Sequence, residues 1–179
     1  MHKTITEERY AFVESLYSIR RNYPRMGLFQ PDFIYVIFNP MMPSKYIRTD
    51  DDIKTAVNEW CGEDNDDEYH MKLTAKYGHI SKWNTALVTN MSALFRNMED
   101  FNDDISKWDV SSVTNMEYMF EGTSFNEDIS GWNVSSVTNM DQMFSDSEFD
   151  RDISGWDVSS VTYMETMFLR SQFDGDISG

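Results

Sequence analysis

FNDDISKWDVSSVTNMEYMFEGTS (101–124) is followed by FNEDISGWNVSSVTNMDQMFSDSE (125–148) and FDRDISGWDVSSVTYMETMFLRSQ (149–172), and FDGDISG (173–179) begins the phrase again. The spacing is strict. Trp108, Trp132 and Trp156 are 24 residues apart, and so are Phe101, Phe125, Phe149 and Phe173. A fixed period of 20–30 residues marks an architecture of stacked units, each contacting only its neighbours. Working outward, a degenerate copy runs from Tyr77: Ile80, Trp83, Val88, Met91 and Phe95 match Ile105, Trp108, Val113, Met116 and Phe120 at an offset of 25. A degenerate first unit is expected of the terminal coil of an array.

Each coil carries eight apolar positions, in the first full coil Phe101, Ile105, Trp108, Val110, Val113, Met116, Met119 and Phe120. The stretch 105–110 is short and extended in character. Met116, Met119 and Phe120 are spaced i, i+3, i+4, one face of a helical turn, and Ser112 and Thr114 are good cap residues before it. One coil therefore reads as a short strand, a turn and a short helix. It is too small to fold alone and needs its neighbours' apolar faces and backbone hydrogen bonds.

Stacking at about 4.8 Å places like on like. It makes a tryptophan ladder (Trp83, Trp108, Trp132, Trp156), a methionine ladder and an aspartate ladder (Asp104, Asp128, Asp152, Asp176). Adjacent unpaired carboxylates at that distance repel by about 1 kcal/mol in water. The acids must bond to turn N–H groups, splay into solvent or share cations. Turn capping is the favoured reading, with a cation site at the same four aspartates as the sharper one. The tryptophans and the Met-x-x-Met-Phe stripe are read as core, in preference to a sugar platform or an exposed groove.

Before the repeats, Thr49-Asp50-Asp51-Asp52 reads as a helix start, with Thr49 as N-cap. Ile53, Ala56, Val57 and Trp60 then fall on one face, and Gly62 ends the helix. This helix is expected to cover the open front of the array. Residues 63–68 are a charge run, read as a solvated loop. An EF-hand is excluded: starting at Asp64 puts Tyr69 where glycine is needed and Ala75 where the bidentate acid should be. Further upstream, Thr4-Ile5-Thr6-Glu7 is a capping box opening a helix over 5–22. A buried strand is expected over 33–38, bounded by Pro31 and Pro40. This accessory segment is expected to pack on the array. Arg20, Arg21 and Arg25 are a candidate basic contact. The domain reading is thus 1–48 accessory segment, 49–76 capping helix and acidic loop, and 77–179 repeat array with its C-terminal end uncapped.

Composition narrows the function. Of the 179 residues 40% are apolar, and the net charge is −16. Residues 1–48 hold seven Lys/Arg against four Asp/Glu, residues 49–100 five against eleven, and residues 101–179 three against sixteen. An acidic array repels phosphate backbones and anionic lipid, which argues against nucleic-acid binding. The longest apolar run, 33–38, is far too short to insert in a membrane. MHKTITEERYAF lacks the apolar core of a signal peptide. Cys61 is the single cysteine, so no internal disulfide forms. It reads as a small packed residue, since no His–Cys pairing is visible. His2, His70 and His79 make no metal spacing. Asn90-Met-Ser92 and Asn133-Val-Ser135 are glycosylation sequons that would act only in a secreted chain. No phosphate loop, HExxH or GxSxG is present.

The phrase F-N-x-D-I-S-x-W-D-V-S-x-V-T-x-M-x-x-M-F resembles the BspA-like surface-protein repeat, also called the mycoplasma lipoprotein repeat, a divergent relative of the leucine-rich repeats. The match is close over 101–179 and extends back through 77–83 to a lead-in module at 53–60. The resemblance implies an α/β fold: a right-handed, leucine-rich-repeat-like solenoid of about 24-residue coils with an N-terminal helical cap. It also implies cell-surface adhesion or protein–protein interaction without chemistry or cofactor. The chain lacks the signal peptide and lipobox of the family's bacterial members, which leaves its compartment open. It ends mid-coil, which implies a fragment of a longer array or end-to-end self-association at the uncapped C-terminal coil.

The expected function is a non-enzymatic interaction or adhesion module presenting a repetitive acidic face to a protein partner, a basic one by charge. The alternative is a cation- or carbohydrate-binding surface protein using the stacked Asp or Trp positions. Partner-facing candidates are the outward residues that vary between coils: Lys107, Glu117, Asp141 and Glu165.

Overall fold

Ile47–Thr49 and Asn84–Leu87 form strands β1 and β2 of a two-stranded sheet in a computed structural model that describes residues 46–62 and 67–175. The chain divides into two units, Met1–Ile47 and Arg48–Gly179. The helix expected over 5–22, the strand over 33–38 and Arg20, Arg21 and Arg25 lie outside the described residues, as does Asp176.

In the second unit, helix α1 spans Ile53–Trp60 and buries Ile53, Ala56, Val57 and Trp60, the face its spacing dictates. Its start differs from the sequence reading. Asp52, not Thr49, is the N-cap residue, and it makes no side-chain capping bond. The carboxylate of Asp52 instead accepts from the Thr49 N–H at 2.8 Å and pairs with Arg48. Arg48 is itself buried, its guanidinium 5.1 Å from the Tyr77 ring centroid and 4.8 Å from that of Trp83. A buried cation needs such partners, and supplying one takes Asp52 away from the helix end.

Of the acidic run, residues 63–66 lie outside the described residues, and its last two residues are not a loop. Helix α2 spans Asp67–Tyr77, so Asp67 and Glu68 are helical. Local charge pattern and a few anchors account for it. Glu68 pairs with Lys72 at 2.8 Å (i, i+4), Tyr69 donates to the Glu59 carbonyl at 3.1 Å, and Leu73 is buried. A 3-10 turn, Ile80–Lys82, leads into β2.

From Asn90 onward, successive units stack through backbone hydrogen bonds. One parallel bridge recurs per unit: Asn90 with Asn115, Asn115 with Asn139, Asn139 with Tyr163. Alternate N–H groups then donate to the following unit, as in Met116 to Asn139 (2.9 Å), Tyr118 to Asp141 (2.9 Å), Phe120 to Met143 (2.9 Å) and Gly122 to Ser145 (3.0 Å). Neither the short strand expected over 105–110 nor the helical turn over 116–120 forms; the first is irregular with a turn at Ser106 and Lys107, and residues 117–120 are a turn. The reason lies in the backbone. Tyr118, Gln142 and Thr166 have φ of 57, 53 and 50°, and Gly122, Asp146 and Arg170 have φ of 65, 53 and 57°. A left-handed residue at the third position of a turn cannot continue a helix, and it aims the next N–H sideways. Here that direction is toward the neighbouring unit. Each left-handed non-glycine residue costs roughly 1–2 kcal/mol; the inter-unit hydrogen bonds, about 1 kcal/mol each, offset it.

The core is a set of vertical ladders. Phe95, Phe120, Phe144 and Phe168 stack with centroids 5.5, 5.5 and 5.7 Å apart. A second column, Phe101, Phe125, Phe149 and Phe173, runs beside it at 5.7, 6.3 and 6.3 Å. Trp60 of α1 meets Trp83 edge to face at 6.2 Å, which joins α1 to the same core at its front.

Candidate interaction surface

The polar residues of each unit are largely spent on holding the stack. Each tryptophan is buried and its indole Nε1–H donates to a backbone carbonyl: Trp83 to Gly78, Trp108 to Ile80, Trp132 to Ile105 and Trp156 to Ile129, at 3.0–3.4 Å. The last three carbonyls belong to the previous unit, so tryptophan is both core and rivet. Their burial favours core packing at these four positions, with Trp156 also lining a hollow beside Ile153 and Met167. The methionine stripe is equally buried, apart from half-buried Met164 in the last unit.

The threonine at the bridge does similar work. Thr114, Thr138 and Thr162 each send an N–H to the carbonyl one unit back, at 2.8, 2.9 and 2.9 Å, and the hydroxyl follows. Thr89 has no earlier unit behind it. Asp50 fills that place: its Oδ1 accepts from the Thr89 and Asn90 N–H groups at 2.8 and 3.0 Å, and its Oδ2 from the Thr89 hydroxyl at 2.6 Å. A carboxylate stands in for the missing carbonyl. Burial opposes the charge on Asp50, but the hydrogen bonds from Thr89 and Asn90 outweigh it and hold the carboxyl below its usual range. The recurrence of threonine at 89, 114, 138 and 162 was the available signal that something must serve Thr89.

The aspartate ladder caps turns. Asp104, Asp128 and Asp152 each accept a backbone N–H from the serine two residues on, Ser106, Ser130 and Ser154, at 3.0, 3.0 and 2.9 Å. The serine hydroxyls and N–H groups hold the Asp104 and Asp128 carboxyls below the usual range. For Asp152 the Ser154 N–H leads, and the neighbouring Asp128 charge opposes. All three residues are exposed, and their Oδ2 atoms have no partner among the described residues. A row of free carboxylate oxygens, one per unit, faces solvent. Among the described residues no group of three or more His, Cys, Asp or Glu is placed to hold a metal.

Of the other candidates, Lys107 and Glu165 are exposed while Glu117 and Asp141 are half-buried. Asp141 is a structural acceptor: its Oδ1 takes the Glu165 N–H at 2.6 Å. Side chains at 102, 126 and 150 make another inter-unit ladder. Asn102 accepts from the Asn126 N–H at 2.8 Å, and Asn126 from the Asp150 N–H at 3.0 Å. The sequon residues Asn90 and Asn133 are exposed, but each accepts from a serine N–H in its own turn, at 2.9 and 3.2 Å.

Around α1, Trp60 donates to Asp103 at 2.7 Å, and the rings of His70 and His79 meet Trp60 edge to face at 5.6 and 5.0 Å. His2 lies outside the described residues. Burial, reinforced by the nearby Asp103 charge, pushes the Cys61 thiol up to about 12. No described helix is long and apolar enough to cross a membrane.

This geometry defines a repeat protein of stacked 24-residue units tied by backbone bonds and aromatic ladders. Residues 67–179 match the family model described as Mycoplasma protein of unknown function, DUF285, and the chain belongs to that family. No curated protein and no solved structure matches it.

Proposed function

We propose that the stacked units form a right-handed, leucine-rich-repeat-like solenoid of the BspA-like surface-protein kind, and that it acts as a non-enzymatic interaction or adhesion module for a basic protein partner. The parallel bridge recurring at Asn115, Asn139 and Tyr163 supports the solenoid. The observation that carries the function is the exposed row of free carboxylate oxygens at Asp104, Asp128 and Asp152. The apolar ladders and most of the amides and hydroxyls are engaged within the stack. What remains outward along this row is negative charge at a fixed spacing, with Lys82, Lys107 and Arg151 exposed near it. Such a row attracts a cationic surface and gains strength from many weak contacts added together.

The test replaces Asp104, Asp128 and Asp152 together by Asn, which keeps the turn acceptor and removes the charge. Asn already occupies this kind of turn at Asn133. Binding to a lysine-rich polypeptide is measured by titration calorimetry across a range of salt. The expected result is weaker binding and a shallower salt dependence for the triple variant, measured at a temperature where its melt shows it still folded, since the lost charge also removes a small stabilisation at neutral pH. Equal affinity and equal salt dependence in both chains refute the acidic row as the contact.

A further inference from the structure

We draw no further inference here: the strongest candidate, the acid-lined cleft between the end of α1, helix α2 and the stretch 97–103 (Trp60, His70, Glu99, Asp100 and Asp103), is an acidic cluster with no second feature that points to a ligand, and its neighbours 63–66 lie outside the described residues, so nothing in the structure shows what covers it.

Discussion

Replacing Asp50 by alanine removes the acceptor of three hydrogen bonds at once: two N–H groups, from Thr89 and Asn90, and the Thr89 hydroxyl. The position resembles a helix N-cap, where loss of the side-chain acceptor costs about 0.5–2 kcal/mol. Asp50 is exposed, so water recovers part of the loss and solvent screens its charge. A cost of about 1.5 kcal/mol follows, which lowers the melting temperature by roughly 5 °C for a unit of this size. Asp51→Ala, next door and exposed, is the control and should change stability by less than about 0.5 kcal/mol. The pH dependence has a definite sign. The folded carboxyl of Asp50 lies below its unfolded value of about 3.9. Its charge-dependent stabilisation is therefore fully present above that value and is lost as pH falls through the folded value. Calorimetric melts of the wild type and of Asp50→Asn, which keeps one acceptor oxygen, should differ at pH 7 and converge below about pH 4. A chain whose melting temperature at pH 7 ignores Asp50→Ala, or responds equally to Asp51→Ala, refutes the reading of Asp50 as the substitute carbonyl.

Trp132→Phe leaves the Ile105 carbonyl without its indole donor and shrinks a buried ring, so chemical denaturation should show a loss of about 1–3 kcal/mol. Thr166→Gly removes a β-branched, exposed side chain from a φ of 50°, and the melting temperature should rise, by the equivalent of about 1 kcal/mol. Gly122→Ala does the reverse: φ is 65° and the new Cβ would sit 2.9 Å from Asn97 Oδ1, so the same assay should show a fall. The half-buried Cys61 thiol, pushed up to about 12, should alkylate far more slowly with iodoacetamide at pH 8 than in the unfolded chain; equal rates contradict the raised value.

The period, the units and the ladders were legible in the sequence because like residues at a fixed spacing have only one economical arrangement, directly above one another. Phe101, Phe125, Phe149 and Phe173, and the buried tryptophans, follow from that alone. Turn capping by Asp104, Asp128 and Asp152 was legible too, because an aspartate two residues before a serine is a local motif. What the spacing could not convey was backbone handedness. Met116, Met119 and Phe120 have helical spacing, yet the left-handed Tyr118 between them turns the chain into a ladder rung. Tyrosine, glutamine and threonine have no preference for that conformation. It is selected by hydrogen bonds to a neighbouring unit that a reading of local pattern does not contain.

The front of the array shows the same division. Three consecutive acids announced a helix start, and the helix does begin at Ile53. Their individual tasks were decided by partners far along the chain. Asp50 serves Thr89 and Asn90, 39 and 40 residues away, and Asp52 is drawn to Arg48, which Tyr77 and Trp83 hold in place. The sequence by itself determined which residues repeat, and hence what must be buried. The tertiary structure decided which polar atoms remain free after stacking, because that depends on whether a neighbouring unit is there to satisfy them.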